Sequence, residues 1–454
     1  MNKGDFTHGP IFGPLVRFAF PVLLALFLQS LYGAVDLWVV GQFAAKADVS
    51  AVGTGAQIMM TITNTIASLT MGTTVLIGQQ LGAGRREEAG RTVGTSIVFF
   101  LLLALVLTVL LVPNVRTVSA VMRAPRGAFS QTIAYLRICS LGLLFIVAYN
   151  LLGALFRGLG NSKVPLITVA IAAVINIAGD LFFVCVLRMG AAGAAAATVL
   201  SQALSVLISL LFIRRLDLPF AFSRSDLRWR GQVVRRIVGL GFPIALSDLL
   251  VGISFLFIIA IVNRLGITAS AGVAVAEKVC AFIMLVPIAF SQSMAAFTAQ
   301  NYGAGRMERA VRGLRYGLAV SWGIGLFMGW LSFFQGDLLC RIFARDPAII
   351  AEGWQYLKAY GIDCLLTPVF FNLAGFFNGC GRTRFVMAEN MIGGIGVRLP
   401  LSFAFSRIQP PSLFRIGLAT PSASLVQTLL CVIYFFRLMK DERKPVQAVS
   451  PETE

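Results

Sequence analysis

The chain has 454 residues, of which 57% are hydrophobic and only 13% charged, with a formal net charge of +18. A water-soluble domain usually carries about a quarter charged residues, so this composition excludes an ordinary soluble globule. The basic residues fall mainly in short segments between apolar runs. They leave no continuous basic face for nucleic acid, and we expect the positive charge to reflect membrane topology.

In chain order, the apolar runs predict twelve membrane-spanning helices, since about 20 helical residues cross a bilayer and satisfy their own backbone hydrogen bonds. The eleventh run is the weakest, because it holds Glu389, Arg398 and several glycines. The first run continues past Asp36 and is expected to be a retained span. The predicted spans cover residues 15–40, 51–80, 93–112, 131–156, 165–187, 192–213, 237–263, 270–299, 315–334, 354–377, 386–406 and 416–437.

The distribution of Lys and Arg predicts the orientation of these spans. Both residue types are most frequent in the loops that lie inside when both termini are cytoplasmic. Because basic residues resist translocation across the membrane, we expect both ends of the chain in the cytoplasm.

The twelve predicted spans repeat as two sets of six. Residues 79–91 read QQLGAGRREEAGR and residues 300–312 read QNYGAGRMERAVR, with eight of thirteen positions identical at an offset of 221. Six spans per copy keep corresponding helices parallel, so the repeat axis runs along the membrane normal. We expect an N-terminal lobe at 1–222, ending in a basic cytoplasmic linker at about 214–236, and a C-terminal lobe at 223–454 with a short cytoplasmic tail.

Enzyme chemistry has little support in this sequence. The only histidine is His8, in the N-terminal tail, and neither HExxH nor GxSxG occurs. A membrane-embedded aspartyl enzyme using Asp36 and Asp180 stays open, as does a passive channel. The seven cysteines form no CxxC pair and are expected to be small core residues: Cys139, Cys185, Cys280, Cys340, Cys364, Cys380 and Cys431.

Six motifs occur in a characteristic order: LYGAVDLWVVGQF at 31–43, the two GAGR turns, FRGLGNSKVP at 156–165, NIAGD at 176–180, AATVLSQ at 196–202 and VRLPLSF at 397–403. In this order and spacing they resemble the bacterial branch of the MATE (multidrug and toxic compound extrusion) family, over about residues 12–440. The resemblance implies an all-α membrane protein whose two six-helix lobes form a V around a central cavity. It also implies export of cationic or amphipathic organic compounds in exchange for H⁺ or Na⁺, without a cofactor.

A flippase for lipid-linked sugars has a related architecture and remains the alternative within transport. Such proteins often carry extra spans and a strongly cationic cavity. Here Arg398 is the clearest arginine well inside a predicted span, which favours an exporter of organic compounds. We expect it to act as a monomer in the bacterial inner membrane, with the lipid bilayer and small, cationic organic molecules as its partners.

Carboxylates inside the spans are candidates for ion coupling, because a charge at mid-bilayer costs at least about 2.5 kcal/mol. Asp36 lies well inside span 1, and Tyr32 and Gln29 share its helix face. Asp180 lies in span 5, one turn after Asn176. Two nearby carboxylates in a poorly solvated cavity favour a bound proton, and with amide and hydroxyl oxygens they can instead hold Na⁺. The structural alternative is that Asp180 only accepts hydrogen bonds from its neighbours.

The family resemblance adds a specific set of residues to this argument. Related branches use an Asp in span 1, an Asn and an Asp one turn apart in span 5, and a Thr in span 6 as a cation site. The resemblance therefore implies a coupling site at Asp36, Asn176, Asp180 and Thr198, with Tyr32 beside it.

The second lobe lacks this set, because Ile258 and Leu401 occupy the positions of Asp36 and Asp180. We expect Asp363 in span 10 and Arg398 in span 11 to pair across helices. Adjacent helical residues point about 100° apart, so Glu277 and Lys278 should face different directions. Candidates for the substrate cavity are Gln29, Asp248, Glu277, Lys278, Met284, Asp363 and Arg398, and hinge candidates are Pro21, Pro243, Pro287 and Pro368.

Overall fold

The computed structural model describes residues 5–215, 218–220 and 222–442. Over these residues the structure contains helices and turns and no strand, as expected where each apolar segment must satisfy its own backbone groups. Residues 216, 217 and 221 of the predicted linker and residues 443–454 of the predicted C-terminal tail lie outside this description.

Each predicted span corresponds to a helix or a broken helix, numbered here α1 to α12. The first lobe contains α1 (Phe12–Phe43), α2 (Lys46–Gly82), α3 (Arg86–Val121), α4 (Phe129–Leu141 and Leu143–Gly158), α5 (Lys163–Asp180 and Leu181–Val186) and α6 (Gly190–Arg215). The second contains α7 (Gly231–Val262), α8 (Ile267–Gly303), α9 (Met307–Phe334), α10 (Pro347–Gly379), α11 (Thr383–Met391, Ile392–Arg398 and Leu399–Arg407) and α12 (Leu413–Gly417 and Ala419–Glu442). Short helical turns cover Arg126–Ala128, Arg224–Asp226, Asn263–Leu265 and Gly336–Arg341. The GAGR turns at 82–85 and 303–306 lie at one end of the bundle, called the GAGR end below.

Ten of the helices in the described part of the chain are long and apolar enough to cross a membrane, and α4 is an eleventh if its two halves, bent by 52°, count as one span. The remaining helix is α11, which the sequence predicts to be the weakest span. A π-helical segment, Ile392–Arg398, interrupts it, and both Glu389 and Arg398 are buried in it. Its polar residues thus face the protein interior, where the neighbouring helices replace lipid.

The lobes approach most closely at the GAGR end. A Cβ atom at Gly82 would lie 1.9 Å from the carbonyl oxygen of Gln300, and one at Gly303 would lie 2.0 Å from that of Gln79. Only glycine permits such backbone approach. The bundle is therefore closed at the GAGR end.

Two related hydrogen bonds join the lobes at this closed end. Gln79 Nε2 donates to the carbonyl oxygen of Gly379 at 2.8 Å, and Gln300 Nε2 donates to that of Gly158 at 3.3 Å. Gln79 and Gln300 are repeat counterparts, as are Gly158 and Gly379. The internal repeat thus produces two equivalent hydrogen bonds between the lobes.

The segment before α1 folds against the second lobe at the GAGR end. Phe6 is 4% exposed, and its ring lies 5.2 Å from that of Phe18 and 5.4 Å from that of Phe297, measured between centroids. Its N–H donates to Gln300 Oε1 at 3.0 Å, and its carbonyl oxygen accepts from Arg309 Nε at 2.8 Å. Phe6 therefore packs between α1 and the second lobe.

We expect Phe6→Ala to destabilise the protein by about 3 kcal/mol, the usual scale for removing a buried phenylalanine ring. The measurement is the thermal unfolding midpoint in detergent. Phe12→Ala is the matched control, because Phe12 is nearby in sequence but 50% exposed. Equal shifts for the two variants would contradict the packed position of Phe6.

Candidate functional site

Three helices of the first lobe bring the predicted coupling residues together. Asp36 of α1 is 9% exposed, and Asp180 and Asn176 of α5 are fully buried. Both α5 residues lie close enough to the Asp36 carboxyl group to interact with it electrostatically. Thr198 Oγ1 of α6 lies 3.4 Å from Asp36 Oδ2 and also donates to the carbonyl oxygen of Ala194 at 3.0 Å. The four residues predicted from the sequence therefore form one cluster.

This cluster has unused hydrogen-bonding capacity. Within the described residues, no hydrogen bond of normal geometry reaches Asp36 Oδ1, either oxygen of Asp180, or the amide oxygen and nitrogen of Asn176. No Lys or Arg of those residues forms an ion pair with either acid. Buried polar atoms almost always have partners, so the cluster is suited to an additional proton or cation.

Local structure in α5 and α6 explains how the acids meet. A Cβ atom at Gly179 would lie 3.0 Å from Ala197 Cβ, so two small residues let α5 and α6 approach. Asp180 and Thr198 follow these contact residues directly in sequence. Beyond Asp180 the helix continues as a π-helical segment, Leu181–Val186, a distortion that is frequent at functional sites.

A tyrosine pair extends the cluster along α1. Tyr32 lies close enough to Asp36 and to Tyr149 of α4 for electrostatic interaction with both. Gln29, one turn before Tyr32, donates from Nε2 to the Tyr149 hydroxyl at 3.0 Å. The shared face of Gln29, Tyr32 and Asp36 agrees with the helical spacing. The sequence carried no signal for Tyr149, because its partners come from another helix.

A small pocket of about 60 Å³ adjoins this extension, between α1, α4, α5 and α8. It includes Arg157, the second residue of the FRGLGNSKVP motif. At the end of a predicted span this arginine resembles an ordinary loop residue, so its position in a pocket had no sequence signal. Polar residues that line the pocket are Gln29, Tyr149, Asn150, Arg157, Ser162, Thr168 and Gln292.

The second lobe departs from the predicted pairing. Arg398 Nη1 donates to Ser254 Oγ of α7 at 3.1 Å, and its guanidinium lies 4.4 Å from the ring centroid of Phe255. Arg398 and Asp363 are not within the 4.0 Å of an ion pair, and Asp363 Oδ1 has no hydrogen-bond partner among the described residues. The predicted Asp363–Arg398 ion pair is therefore wrong, because α7 provides the arginine with both a hydrogen bond and an aromatic face.

The other second-lobe candidates are dispersed. Glu277 is half-buried and Lys278 is exposed, so the two point apart as expected for adjacent helical residues. Asp248 is exposed and accepts a hydrogen bond from Ser68 of α2, in the other lobe. Met284 lines a separate, very small pocket of about 10 Å³ between α8, α9 and α10. A role in substrate binding stays a prediction for all four.

The four predicted hinge prolines lie inside helices that continue through them. Pro21 is in α1, Pro243 in α7, Pro287 in α8 and Pro368 in α10. Pro287 and Pro368 also line the pocket that contains Met284. Their function as hinges stays a prediction.

Known proteins resemble this chain along nearly its whole length. The MatE family model matches residues 21–182 and again 243–404. The probable multidrug resistance protein YpnP of Bacillus subtilis (strain 168) is 28% identical over 420 residues, which cover 89% of this chain and 91% of that protein. The probable multidrug resistance protein NorM of Thermotoga maritima is 25% identical, covering 89% of this chain and 86% of the relative.

A solved structure of a MOP superfamily transporter from Pyrococcus furiosus superposes with a TM-score of 0.91 at 20% identity, covering 98% of this chain and 99% of that one. A second structure, titled as an outward-facing multidrug resistance MATE family transporter, gives the same TM-score and coverage. The expected fold is confirmed: an all-α membrane protein of twelve helices in two six-helix lobes.

Proposed function

The chain belongs to the MATE family of membrane transporters, whose model matches both of its halves, and from this premise we propose that it is a secondary antiporter. It exports cationic or amphipathic organic compounds in exchange for H⁺ or Na⁺. Relatives are named as multidrug resistance and multidrug export proteins, which supports small organic molecules as the cargo. These relatives are transporters rather than enzymes.

The observation that carries this proposal is the proximity of the buried side chains of Asp36 and Asp180. Two adjacent buried carboxylates repel each other and are poorly solvated, so at least one needs a proton or a bound cation. The oxygens of Asn176 and Thr198 complete a donor set that suits a hard ion such as Na⁺. If the ion binds preferentially to one arrangement of the lobes and the cargo to the other, the two are carried across the membrane in opposite directions.

The closed GAGR end supports alternating access. Closure at one end of the bundle is a feature of each of the two arrangements that an alternating transporter requires. We place the GAGR end and both termini in the cytoplasm of a bacterium, with the protein spanning the inner membrane as a monomer. We set the lobe boundary at residues 222/223, in the linker between α6 and α7.

The test is uphill transport by the purified protein in proteoliposomes. A fluorescent cationic dye is followed under an imposed pH gradient, an imposed Na⁺ gradient, and neither. We expect accumulation against the dye gradient under at least one ion gradient, with collapse when an ionophore dissipates it. Dye movement that only runs downhill under every condition would contradict an antiporter and indicate a passive pathway.

A further inference from the structure

Two arginines of the second lobe hold the segment that precedes α1, residues 5–10, which is called the N-terminal strap below. The Arg309 guanidinium donates at 2.7–3.3 Å to four backbone carbonyl oxygens of the strap, those of Phe6, His8, Gly9 and Pro10. A fifth, that of Thr7, accepts from Arg306 Nη1 at 2.6 Å. The strap is therefore docked through its main chain against the second GAGR turn and the start of α9.

This use of the turn is specific to the second lobe. At the repeat offset of 221, Arg306 and Arg309 correspond to Arg85 and Glu88. In the first lobe, Arg85 Nη1 lies 3.8 Å from Glu88 Oε2, so the acid engages the arginine of its own turn. Because an arginine takes the place of that acid in the second lobe, both guanidinium groups there are available to the strap.

The docked strap also stabilises the closed GAGR end. Gln300 Oε1 accepts from the Phe6 N–H at 3.0 Å, while Gln300 Nε2 donates to the carbonyl oxygen of Gly158 in the first lobe at 3.3 Å. The amide can make both hydrogen bonds in one orientation only. The strap thus holds Gln300 in the orientation that joins the two lobes, and its release would leave that orientation less fixed.

His8, the only histidine of the chain, makes the docked strap sensitive to protonation. Its Nε2 lies 3.0 Å from Arg306 Nη2, and because a guanidinium only donates hydrogen bonds, this nitrogen is an unprotonated acceptor. The ring proton is then on Nδ1, 2.7 Å from Thr7 Oγ1, which itself donates to Asp5 Oδ1 at 2.5 Å. The hydrogen bonds run in one direction from Arg306 to Asp5, and they require a neutral ring.

A second proton on the ring breaks this chain where the strap meets the second lobe. Nε2–H would point at the Arg306 guanidinium, so a hydrogen bond is replaced by repulsion between two positive charges. Among the residues that the structure describes, the other charged groups here are Arg309, Arg312 and Asp5, whose Oδ2 lies 3.3 Å from His8 Nδ1. Asp5 belongs to the strap itself, so its attraction to a charged ring does not hold the strap on the lobe.

We propose that the N-terminal strap is a pH-sensitive latch on the GAGR end: protonation of His8 releases it from Arg306 and favours separation of the lobes there. Histidine is the side chain that ordinarily changes charge between about pH 5 and pH 8. The inference goes beyond the transport function and is independent of the cargo, because every contact that carries it lies outside the acid pair.

The single histidine makes the first step directly observable. Protein labelled with ¹⁵N-histidine, freed of any histidine tag and reconstituted in bilayers at about pH 8, gives imidazole NMR signals from His8 alone, and these distinguish the two neutral tautomers. We expect the proton on Nδ1 in wild type. Arg306→Met should abolish this preference, and Arg85→Met, at the repeat counterpart, should retain it. A wild-type proton on Nε2, or an unchanged tautomer in Arg306→Met, would overturn the proposal.

Separation of the lobes is measured as the distance between spin labels at Glu87 and Glu308, which are exposed repeat counterparts. Between about pH 8 and pH 5.5, the population at long distance should rise about fivefold in wild type, the scale of one hydrogen bond lost. His8→Gln keeps a neutral acceptor and should lack this rise. His8→Arg carries a permanent charge and should show the raised population at both pH values. The His8 side chain is 61% exposed, so these variants leave the packed core unchanged.

The comparison with His8→Gln separates the latch from the acid pair, since Asp36 and Asp180 also respond to protons. If wild type and His8→Gln change equally with pH, or if His8→Arg matches wild type at the higher pH, the latch proposal is overturned. A rise in wild type that His8→Gln lacks supports the latch, whether or not the protein transports any tested cation in proteoliposomes. Failure of the transport function and failure of the latch are therefore distinguishable.

Discussion

Asp36→Asn and Asp180→Asn should each reduce ion-driven accumulation of a cationic dye by about 100-fold, the upper range of coupling between two ligands. Asparagine keeps the size of the side chain but carries neither a titratable proton nor a negative charge. With one carboxylate replaced, the site no longer needs a proton or cation to neutralise two adjacent negative charges. Ion binding then no longer favours one arrangement of the lobes over the other, so an ion gradient cannot drive the transport cycle. Accumulation in proteoliposomes measures the loss.

Two further measurements make this result specific. Glu87→Gln is the matched control, because its side chain is 90% exposed at the GAGR end and should transport as wild type does. Dye exchange without a gradient tests whether the lobes still move. If both aspartate variants still concentrate dye against its gradient, the coupling site lies elsewhere in the protein.

The acid cluster is predictable from the sequence because the features that mark it are local. The spacing of Asn176 and Asp180 fixes a shared face of one helix, and the burial cost of an ionised side chain singles out Asp36 without any knowledge of tertiary structure. Which helices neighbour each other is not local information. For that reason the sequence did not predict the contact with Tyr149, and the proposed Asp363–Arg398 ion pair was wrong.

Arg157 shows a second limit. In sequence it lies at the end of a span, where basic residues normally face water or lipid headgroups. Its placement in a pocket depends on Gly153 in its own helix and on α5 and α8 beside it. The charged side chain of Arg157 therefore lines a pocket although the residue lies next to a loop in sequence. Its position follows from the packing of the four helices around the pocket.

The internal repeat was visible in sequence, but its mechanical consequence was not. Alignment at offset 221 pairs Gly82 with Gly303 and Gln79 with Gln300. The structure adds that each glycine lies against the backbone of the opposite glutamine, so the repeated motif packs against its own copy. A short turn motif in two parallel copies thus becomes an interlobe contact.

Gly82→Val and Gly303→Val should therefore prevent closure of the GAGR end and reduce transport by at least about tenfold. Each new Cβ atom would lie 2.0 Å or less from a backbone oxygen, which is a severe steric clash in the closed arrangement. A clash that costs only about 1.4 kcal/mol already shifts the ratio of closed to open protein tenfold. Transport is measured in proteoliposomes, with Gly13→Val as the control, because a Cβ atom there meets nothing within 4 Å.

Closure itself can be measured separately from transport. Spin labels at the exposed repeat counterparts Glu87 and Glu308, in a background without the native cysteines, report the distance between the lobes. In the two valine variants this distance should shift to longer values, because the clash is relieved only when α2 and α8 separate. Unchanged distances together with lost transport would show that the glycines serve folding rather than closure. Longer distances with lost transport would show that the protein must close this end to complete its cycle.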